Sequence, residues 1–399
     1  MERNSGSLTS LREGNRKRVI DALRERGVAS RAELARMTGL SRSTVSTIVG
    51  DLIDAGLAGE REGQPDGEVH AGRPPVMVAL NRSAGVALGL DFGHRHLRVA
   101  VSDLSHTVLA EAWCELDVDH SSTEGLDRAA EFVDRVLAEA GAERSHVIGA
   151  SMGLPAPIDR VSGSVQESSI LPGWVGVDAA GEASRRLGLP VEVENDANLG
   201  ALAEFTWGAA KGRSEVVYLK VSSGIGAGLI SGGKLQHGVS GTAGEVGHMV
   251  IANGGPVCRC GNRGCLEAIG SARAVADLLA SSRREPVSTH DLIELSAGGD
   301  AAAQRLIADA GRAIGVAVAS LCNILNPQSV VVGGDLAAAG DVLLEPMRDV
   351  VRRMALPSAV ADVQIVAAVL GDRAEMLGAL ALVMHESDRF TQAGLGAAA

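Results

Sequence analysis

The sequence predicts an α/β body preceded by a small, mainly helical domain that closes on a β-hairpin. Three observations carry this reading. Residues 1–60 hold two helix caps and a glycine stop at the spacing of a tight helix–turn–helix. From Gly85 onward, strand-like apolar runs alternate with amphipathic helical ones, the pattern of α/β architecture. Glycine is abundant, at 50 of 399 residues, while aromatics make up 2%, so the core must be packed with Ala, Val and Leu between many tight turns.

The length leaves room for two or three domains, and the 46% apolar and 22% charged content is that of a water-soluble globular protein. Residues 1–29 carry arginines throughout and lack an apolar run of signal-peptide length, and no later segment approaches ~18 uninterrupted apolar residues, so no membrane insertion is expected. The five cysteines are odd in number and three are clustered, which argues against a disulfide scaffold and for a reducing compartment, the cytoplasm. Charge is uneven: residues 1–82 hold 13 Lys and Arg against 11 Asp and Glu, and the remainder 24 against 38. A weakly basic head on an acidic body fits phosphate contacts at one end only.

In the head, residues 15–26 read as an amphipathic helix with Val19, Ile20 and Leu23 on one face. Ser30 with Glu33 has the capping-box spacing and opens a second helix, which Gly39 ends. Ser41 caps a third helix running to about Ala55, stopped by Gly56. Ala35 at the crossing, Gly39 at the turn, and Val45 and Ile48 packing back form the helix-turn-helix pattern. The third helix presents Ser41, Arg42, Ser43, Thr44, Ser46 and Thr47, which can bond phosphates and base edges in a DNA major groove. Residues 57–80 read as a hairpin wing. Its Arg73, in a stiff run with Pro74 and Pro75, suits either a minor-groove contact or a plain linker. A helical packing module or dimerisation arm is the plainer alternative for the head as a whole.

In the body, residues 86–93 read as a strand ending at Asp91 and Gly93, and residues 97–103 as a second strand. A helix is expected over 124–140, and a strand over 147–155 leading past Gly153. Residues 191–198 lead from a strand into a helix through Asn195, Asp196 and Asn198, and residues 216–228 read as a strand ending in a Gly-rich turn with Ser222, Ser223, Gly224, Gly226 and Gly228. Such a turn can face backbone N–H groups toward a phosphate, and a strand-end carboxylate can act as a base or hold Mg²⁺. Residues 271–325 read as helices, ending in a long one from Ala301 to Leu325 whose Gly311 and Gly315 permit close packing, within the body or between subunits.

The sharpest local signal is a cluster of His248, Cys258, Cys260 and Cys265 within 18 residues, with glycines between them. Three thiols and an imidazole form a complete tetrahedral set for Zn²⁺, which makes such an ion structural rather than catalytic. Free cysteines in a loop are the plainer reading. Cys114 and Cys322 lie outside the cluster and read as buried apolar residues.

On these motifs the chain resembles the ROK family of sugar-responsive repressors and bacterial sugar kinases, over almost everything from Gly85 to the mid-380s. Residues 245–267 resemble the family signature, residues 194–198 its catalytic-base segment, and the head the winged helix of family repressors. The resemblance implies an actin-like (ribonuclease H-like) two-lobed fold after the winged helix-turn-helix of residues 1–82. The small lobe would span 83–195, completed by a C-terminal helix at about 372–387, and the large lobe 196–371, with the zinc knuckle at 248–265. Residues 388–399 are expected to be a disordered tail. The resemblance also implies a sugar site of Gly153, Asn195, Asp196, Glu245, His248 and Glu267, with Asp196 as catalytic base in a working kinase. His248 would place one nitrogen on zinc and the other toward the sugar.

The phosphate loops depart from the family's kinase pattern. Where kinases resemble Asp-x-Gly-Gly-Thr, this chain has Asp91, Gly93, His94 and Arg95, and its second loop has Ser222, Ser223 and Gly224. Side chains where glycine admitted phosphate block it sterically. ATP with Mg²⁺ is therefore not expected, while structural Zn²⁺ is expected from the cluster of His248, Cys258, Cys260 and Cys265. The leading expectation is a sugar-responsive regulator of carbohydrate genes that binds double-stranded operator DNA as a homodimer or homotetramer. The alternative is an ATP-dependent hexose or amino-sugar kinase with a DNA-binding head, supported by Asp196 and the run from Val331 to Asp335. A third reading is a module answering to a sugar-transport protein.

Overall fold

The computed structural model describes residues 5–62, 76–81, 85–159, 162–165 and 170–385. The head begins with α1 (Ser5–Arg26), longer than the stretch from residue 15 that periodicity predicts. An apolar period marks only the part of a helix that packs, so polar leading turns escape it. The chain then forms β1 (Val28–Ser30), α2 (Arg31–Thr38) and α3 (Arg42–Asp54). Ser30 and Glu33 make the reciprocal capping box, and Gly39 turns the chain at φ 69°. Two wing strands, β2 (Ala58–Glu62) and β3 (Val76–Leu80), pair antiparallel, and β1 adds to β3. Strand β1 is absent from the sequence reading because three residues are too short to show a period. Val19, Leu23, Leu34, Val45, Ile48 and Leu52 close one core with Val78 and Leu80 of the wing.

The first body sheet contains β4 (Val86–Gly93), β5 (His96–Asp103), β6 (Val108–Glu115), β7 (Val147–Leu154) and β8 (Val191–Asn195), in the order β6-β5-β4-β7-β8. Strand β4 is buried along its whole length, antiparallel to β5 and parallel to β7. Its core includes residues of α4 (Ser122–Ala140) and α5 (Ala179–Leu187).

Next come α6 (Asp196–Thr206), β9 (Val216–Val221), β10 (Ile225–Ser231) and β11 (Lys234–Leu235). They are followed by α7 (Glu267–Gly270), α8 (Ala272–Arg283), α9 (Thr289–Ala297), α10 (Ala301–Leu325) and β12 (Ser329–Gly333). The last elements are α11 (Asp341–Met354), α12 (Pro357–Val360), β13 (Gln364–Ala367) and α13 (Ala374–His385). The second sheet runs β11-β10-β9-β12-β13. Two sheets, each backed by helices, give the actin-like two-lobed plan.

In the body, the glycine-rich run after β9 differs from its sequence reading. The run from residue 222 to 228 is not all turn: β10 starts at Ile225, and Gly226 and Gly228 are strand residues. A strand glycine reads as a turn from sequence, but here it admits a neighbour. A Cβ on Gly228 would stand 2.6 Å from the Ala197 carbonyl oxygen of α6.

Helix α10 has the length and composition of a membrane span, but 56% of that stretch is buried inside the fold. A Cβ on Gly311 would overlap the Leu343 carbonyl, and one on Gly315 would lie 2.8 Å from that of Met347, so these glycines serve packing on α11 within the lobe.

Helix α13 lies between the first sheet and α6. Its Met376, Leu380, Val383 and Met384 pack on Ala87, Ala100 and Leu104, while Ala379 and Leu382 pack on Leu199 and Leu202. The head rests on the far end of this helix: Arg24 Nε donates to the Leu104 carbonyl at 3.1 Å, and its guanidinium lies 3.6 Å from Met384 Sδ. Leu57 packs into both the head core and the α13 cluster.

Candidate functional site

The ends of β4, β7, β8 and β9 and the start of α6 bring polar residues together where the two sheets adjoin. Asn195 caps α6, accepting from the Ala197 and Asn198 amides, while its Nδ2 donates to the Ala156 carbonyl at 3.1 Å. Asp196 is the first residue of α6, where the helix dipole favours a carboxylate. Its Oδ2 lies 2.9 Å from Lys220 Nζ at the end of β9. Glu194 accepts from the Asn195 amide and from Asn198 Nδ2, and its other oxygen lies 2.7 Å from His237 Nε2. Gly153 sits beside this group: a Cβ there would lie 2.7 Å from Leu199 and 3.9 Å from Asp91 Oδ1.

Glu245, His248 and Glu267 come from the far side of β10. The loop can lie this close because Gly244, at φ 98°, and Gly247 carry no Cβ to overlap the Ala227 and Ile225 carbonyls. Glu267 is buried, accepts from the Ile225 amide at 3.2 Å and pairs with Arg259 at 2.7 Å. His248 Nε2 is 3.9 Å from Glu245 Oε2, and its Nδ1 faces the thiols.

The ligand atoms of His248, Cys258, Cys260 and Cys265 all lie within 4.8 Å of one another. Cys258 Sγ is 3.6 Å from His248 Nδ1, and Cys260 Sγ is 3.7 Å from Cys265 Sγ. A tetrahedral ion with bonds of about 2.1 Å to nitrogen and 2.3 Å to sulfur has ligand–ligand edges of roughly 3.6–3.8 Å, so this donor set fits a single such ion. Burial pushes the Cys265 thiol up to about 12 and that of Cys258 upward, while the Asn262 amide lowers that of Cys260. A bound dication would hold all of them as thiolates.

The two turns at the positions of the family's expected phosphate loops are occupied by the protein's own groups. His94 turns aside to Asp119, with Nδ1 2.6 Å from Oδ1. The ring over Gly93 is instead that of His96: a Cβ on Gly93 would overlap its Cε1, and its Nε2 is 2.9 Å from Asp91 Oδ2. Burial works against the His96 imidazolium, but the hydrogen bond and charge of Asp91 outweigh it and raise the group above its ordinary value. Asp91 is 1% exposed, and its Oδ1 has no hydrogen-bond partner among the described residues. At the second turn Ser222 Oγ accepts from the Asp335 amide at 3.1 Å, and a Cβ on Gly224 would lie 2.8 Å from the Arg259 guanidinium.

In the head, Ser41, Arg42, Ser43, Ser46 and Thr47 are exposed and Thr44 is half-buried. Ser41 caps α3 and its hydroxyl lies 2.9 Å from that of Ser43, while Thr47 Oγ1 donates to the Ser43 carbonyl. Arg73 lies outside the described residues, as does the run 388–399.

The family pattern described as ROK matches residues 87–386. The chain belongs to the ROK family. A winged helix-turn-helix DNA-binding pattern matches residues 12–57. The chain is 30% identical over 385 residues to the xylose repressor of Bacillus subtilis, covering 96% of this chain and 98% of that one. It is 31% identical over 310 residues to the glucokinase of Thermotoga maritima, covering 74% of this chain and 96% of the glucokinase. A solved ROK family transcriptional regulator, a homologue of the Escherichia coli MLC protein, superposes with a TM-score of 0.80 at 26% identity, covering 96% of this chain and 98% of that one. The ROK family thus includes both repressors and sugar kinases.

Four site residues escape the sequence reading of this ROK chain: His96, Lys220, Arg259 and Glu375. Lys220 had a signal, as the one charge in the strand Val216–Val221. Arg259 lies between two knuckle cysteines, and Glu375 opens an otherwise apolar helix, so neither shows from its local pattern what it faces.

Proposed function

We propose that this chain is a sugar-responsive transcriptional regulator that represses carbohydrate-metabolism genes. The observation that carries this reading is the joining, in one chain, of an outward helix face bearing Arg42, Ser43, Ser46 and Thr47 to two polar groups that flank β10, Asn195 and Asp196 at the start of α6 and Glu245 and Glu267 on the strand's other side. The first suits a major groove, and the second suits the ring hydroxyls of a sugar, which donate and accept together. In this reading Gly153 lets the ring approach, and His248 holds structural Zn²⁺ with Cys258, Cys260 and Cys265 while turning Nε2 toward Glu245. The protein works in the cytoplasm as a homodimer or homotetramer on operator DNA, with a sugar-transport protein as a second input.

A kinase reading is favoured by Asp196 at the start of α6, where a base for a sugar hydroxyl belongs, and by the run from Val331 to Asp335 at the end of β12. Against it stand the His96 ring over Gly93 and the Asp335 amide closing on Ser222. The deciding experiment incubates the purified protein with ATP, Mg²⁺ and a panel of D-glucose, D-xylose and N-acetyl-D-glucosamine, with Asp196→Asn as blank. Turnover at the blank level, with sugar binding seen by calorimetry and a specific duplex recovered from a random-sequence DNA pool, is the expected result. Turnover abolished by Asp196→Asn would make the chain a kinase that also binds DNA.

A further inference from the structure

A buried charge cluster lies between the sugar-site residues and the helix that carries the head. Lys220 Nζ is 2.9 Å from Asp196 Oδ2 and 2.8 Å from Glu375 Oε1. Asp91, with His96 on its other side, adds a third carboxylate to the field on Lys220. Asp91 and Glu375 are almost wholly buried, and the Lys220 side chain is 17% exposed. Burial disfavours the Lys220 ammonium, but Asp196, Glu375 and Asp91 together overcome this and raise its pKa well above the ordinary lysine value. Each carboxylate belongs to a different element: Asp91 to β4, Asp196 to α6 and Glu375 to α13.

Glu375 stands in the first turn of α13 and Met384 in its last. Nine residues of helix span about 14 Å, so one rigid element connects the Lys220 cluster to the Arg24 contact. The helix is held along its length: a Cβ on Gly378 would overlap the Leu199 carbonyl of α6, and one on Gly89 would stand 2.7 Å from the Met376 carbonyl. At its far end are Met384 under Arg24 and the cluster that Leu57 shares with the head core.

We propose that Lys220 is the positioning residue that couples the sugar site to the DNA-binding head, by tying the Asp196 carboxylate to Glu375 and so to α13. The proposal rests on the sugar reading of Asp196 for its trigger. A hydroxyl that bonds Asp196 competes with the ammonium for the same carboxylate, and the Lys220–Glu375 pair must then readjust. A buried ion pair is weak as pure fold glue, since well-packed apolar residues often replace it at no cost. Its place between a ligand-facing carboxylate and the helix under the head gives it a reason to exist.

The test is amide hydrogen exchange on the full chain, comparing wild type, Lys220→Met and Glu375→Gln, the last removing the ionic part of the link to α13 while sparing the Lys220–Asp196 pair. Without sugar, both variants are expected to exchange about tenfold faster over residues 374–385 and 15–26, with α10 unchanged as the control for folding. If Lys220→Met loses protection in α10 as well, Glu375→Gln alone decides. Native protection at 15–26 in a folded variant overturns the proposal.

The second arm adds D-glucose, D-xylose or N-acetyl-D-glucosamine. A sugar that binds wild type by calorimetry is expected to alter exchange at 15–26 there but not in Glu375→Gln, with the sugar still bound. An equal response in both overturns the coupling. If none of the three binds wild type, the proposed trigger fails, and the sugar-free arm still passes or rejects the Lys220 link.

Discussion

At the scale of single residues, the site depends on which atom faces which. His96, not the His94 that replaces a family loop residue, covers Gly93, because His94 bonds to Asp119 instead. Its partner Asp91 sets a pH dependence whose sign is fixed. The folded pKa of His96 lies above its ordinary 6.5, so its stabilising contribution is complete below about 6.5 and is lost as pH rises through the folded value. Thermal unfolding of wild type against His96→Gln across that range should show the difference narrowing as pH increases, and a constant gap would reject the assignment. The knuckle makes a second residue-scale prediction. Cys258→Ser is expected to abolish zinc binding by elemental analysis and to weaken sugar binding by about 10–100-fold, since a metal held there would orient His248 beside Glu245. Full sugar affinity in zinc-free protein would separate the two sites.

At the scale of elements, close crossings decide what each glycine is for. Gly378 in α13 meets the Leu199 backbone of α6. Alanine there gains about 1 kcal/mol of helix propensity but forces a backbone shift costing roughly 1–3 kcal/mol or more, so Gly378→Ala should lower the unfolding temperature. A rise would mean the two helices separate freely. On α3, the exposed Arg42 stands at the helix start beside capping hydroxyls. Arg42→Ala should weaken binding to the selected duplex by about 1–3 kcal/mol if it reads a base edge, with relaxed preference at that position. A uniform loss across sequences with a shallower salt dependence would make it a phosphate contact instead. The head was legible from sequence because caps and turns are local chemistry. Strand β1 and the true extent of β10 were not, since a short strand and a strand glycine carry no local signal.

At the scale of the whole molecule, the head is connected through α13 and the Arg24 and Leu57 contacts to the residues proposed to bind sugar. If the sugar alters DNA binding through that connection, thermodynamic linkage makes the effect reciprocal. The factor by which a bound sugar changes affinity for the selected duplex should equal the factor by which the duplex changes affinity for the sugar. Calorimetry of each ligand with and without the other checks this, and unequal factors would show that the two ligands act on different populations, such as different oligomers.

The sequence by itself determined the local units: the capped helices of the head, the four metal-ligand types at knuckle spacing, and the strand-to-helix passage that places Asn195 and Asp196 at the start of α6. Those depend on neighbours in the chain, where backbone geometry and side-chain chemistry act over a few residues. Only the tertiary structure decided that Lys220 meets both Asp196 and Glu375, that His96 covers Gly93, and that Arg24 reaches Leu104 and Met384. Most of these pairings join residues tens to hundreds of positions apart, through sheet register and helix crossing, which no local pattern specifies. The His96 case is near in sequence yet was just as hidden, because a ring's direction depends on the packing around it.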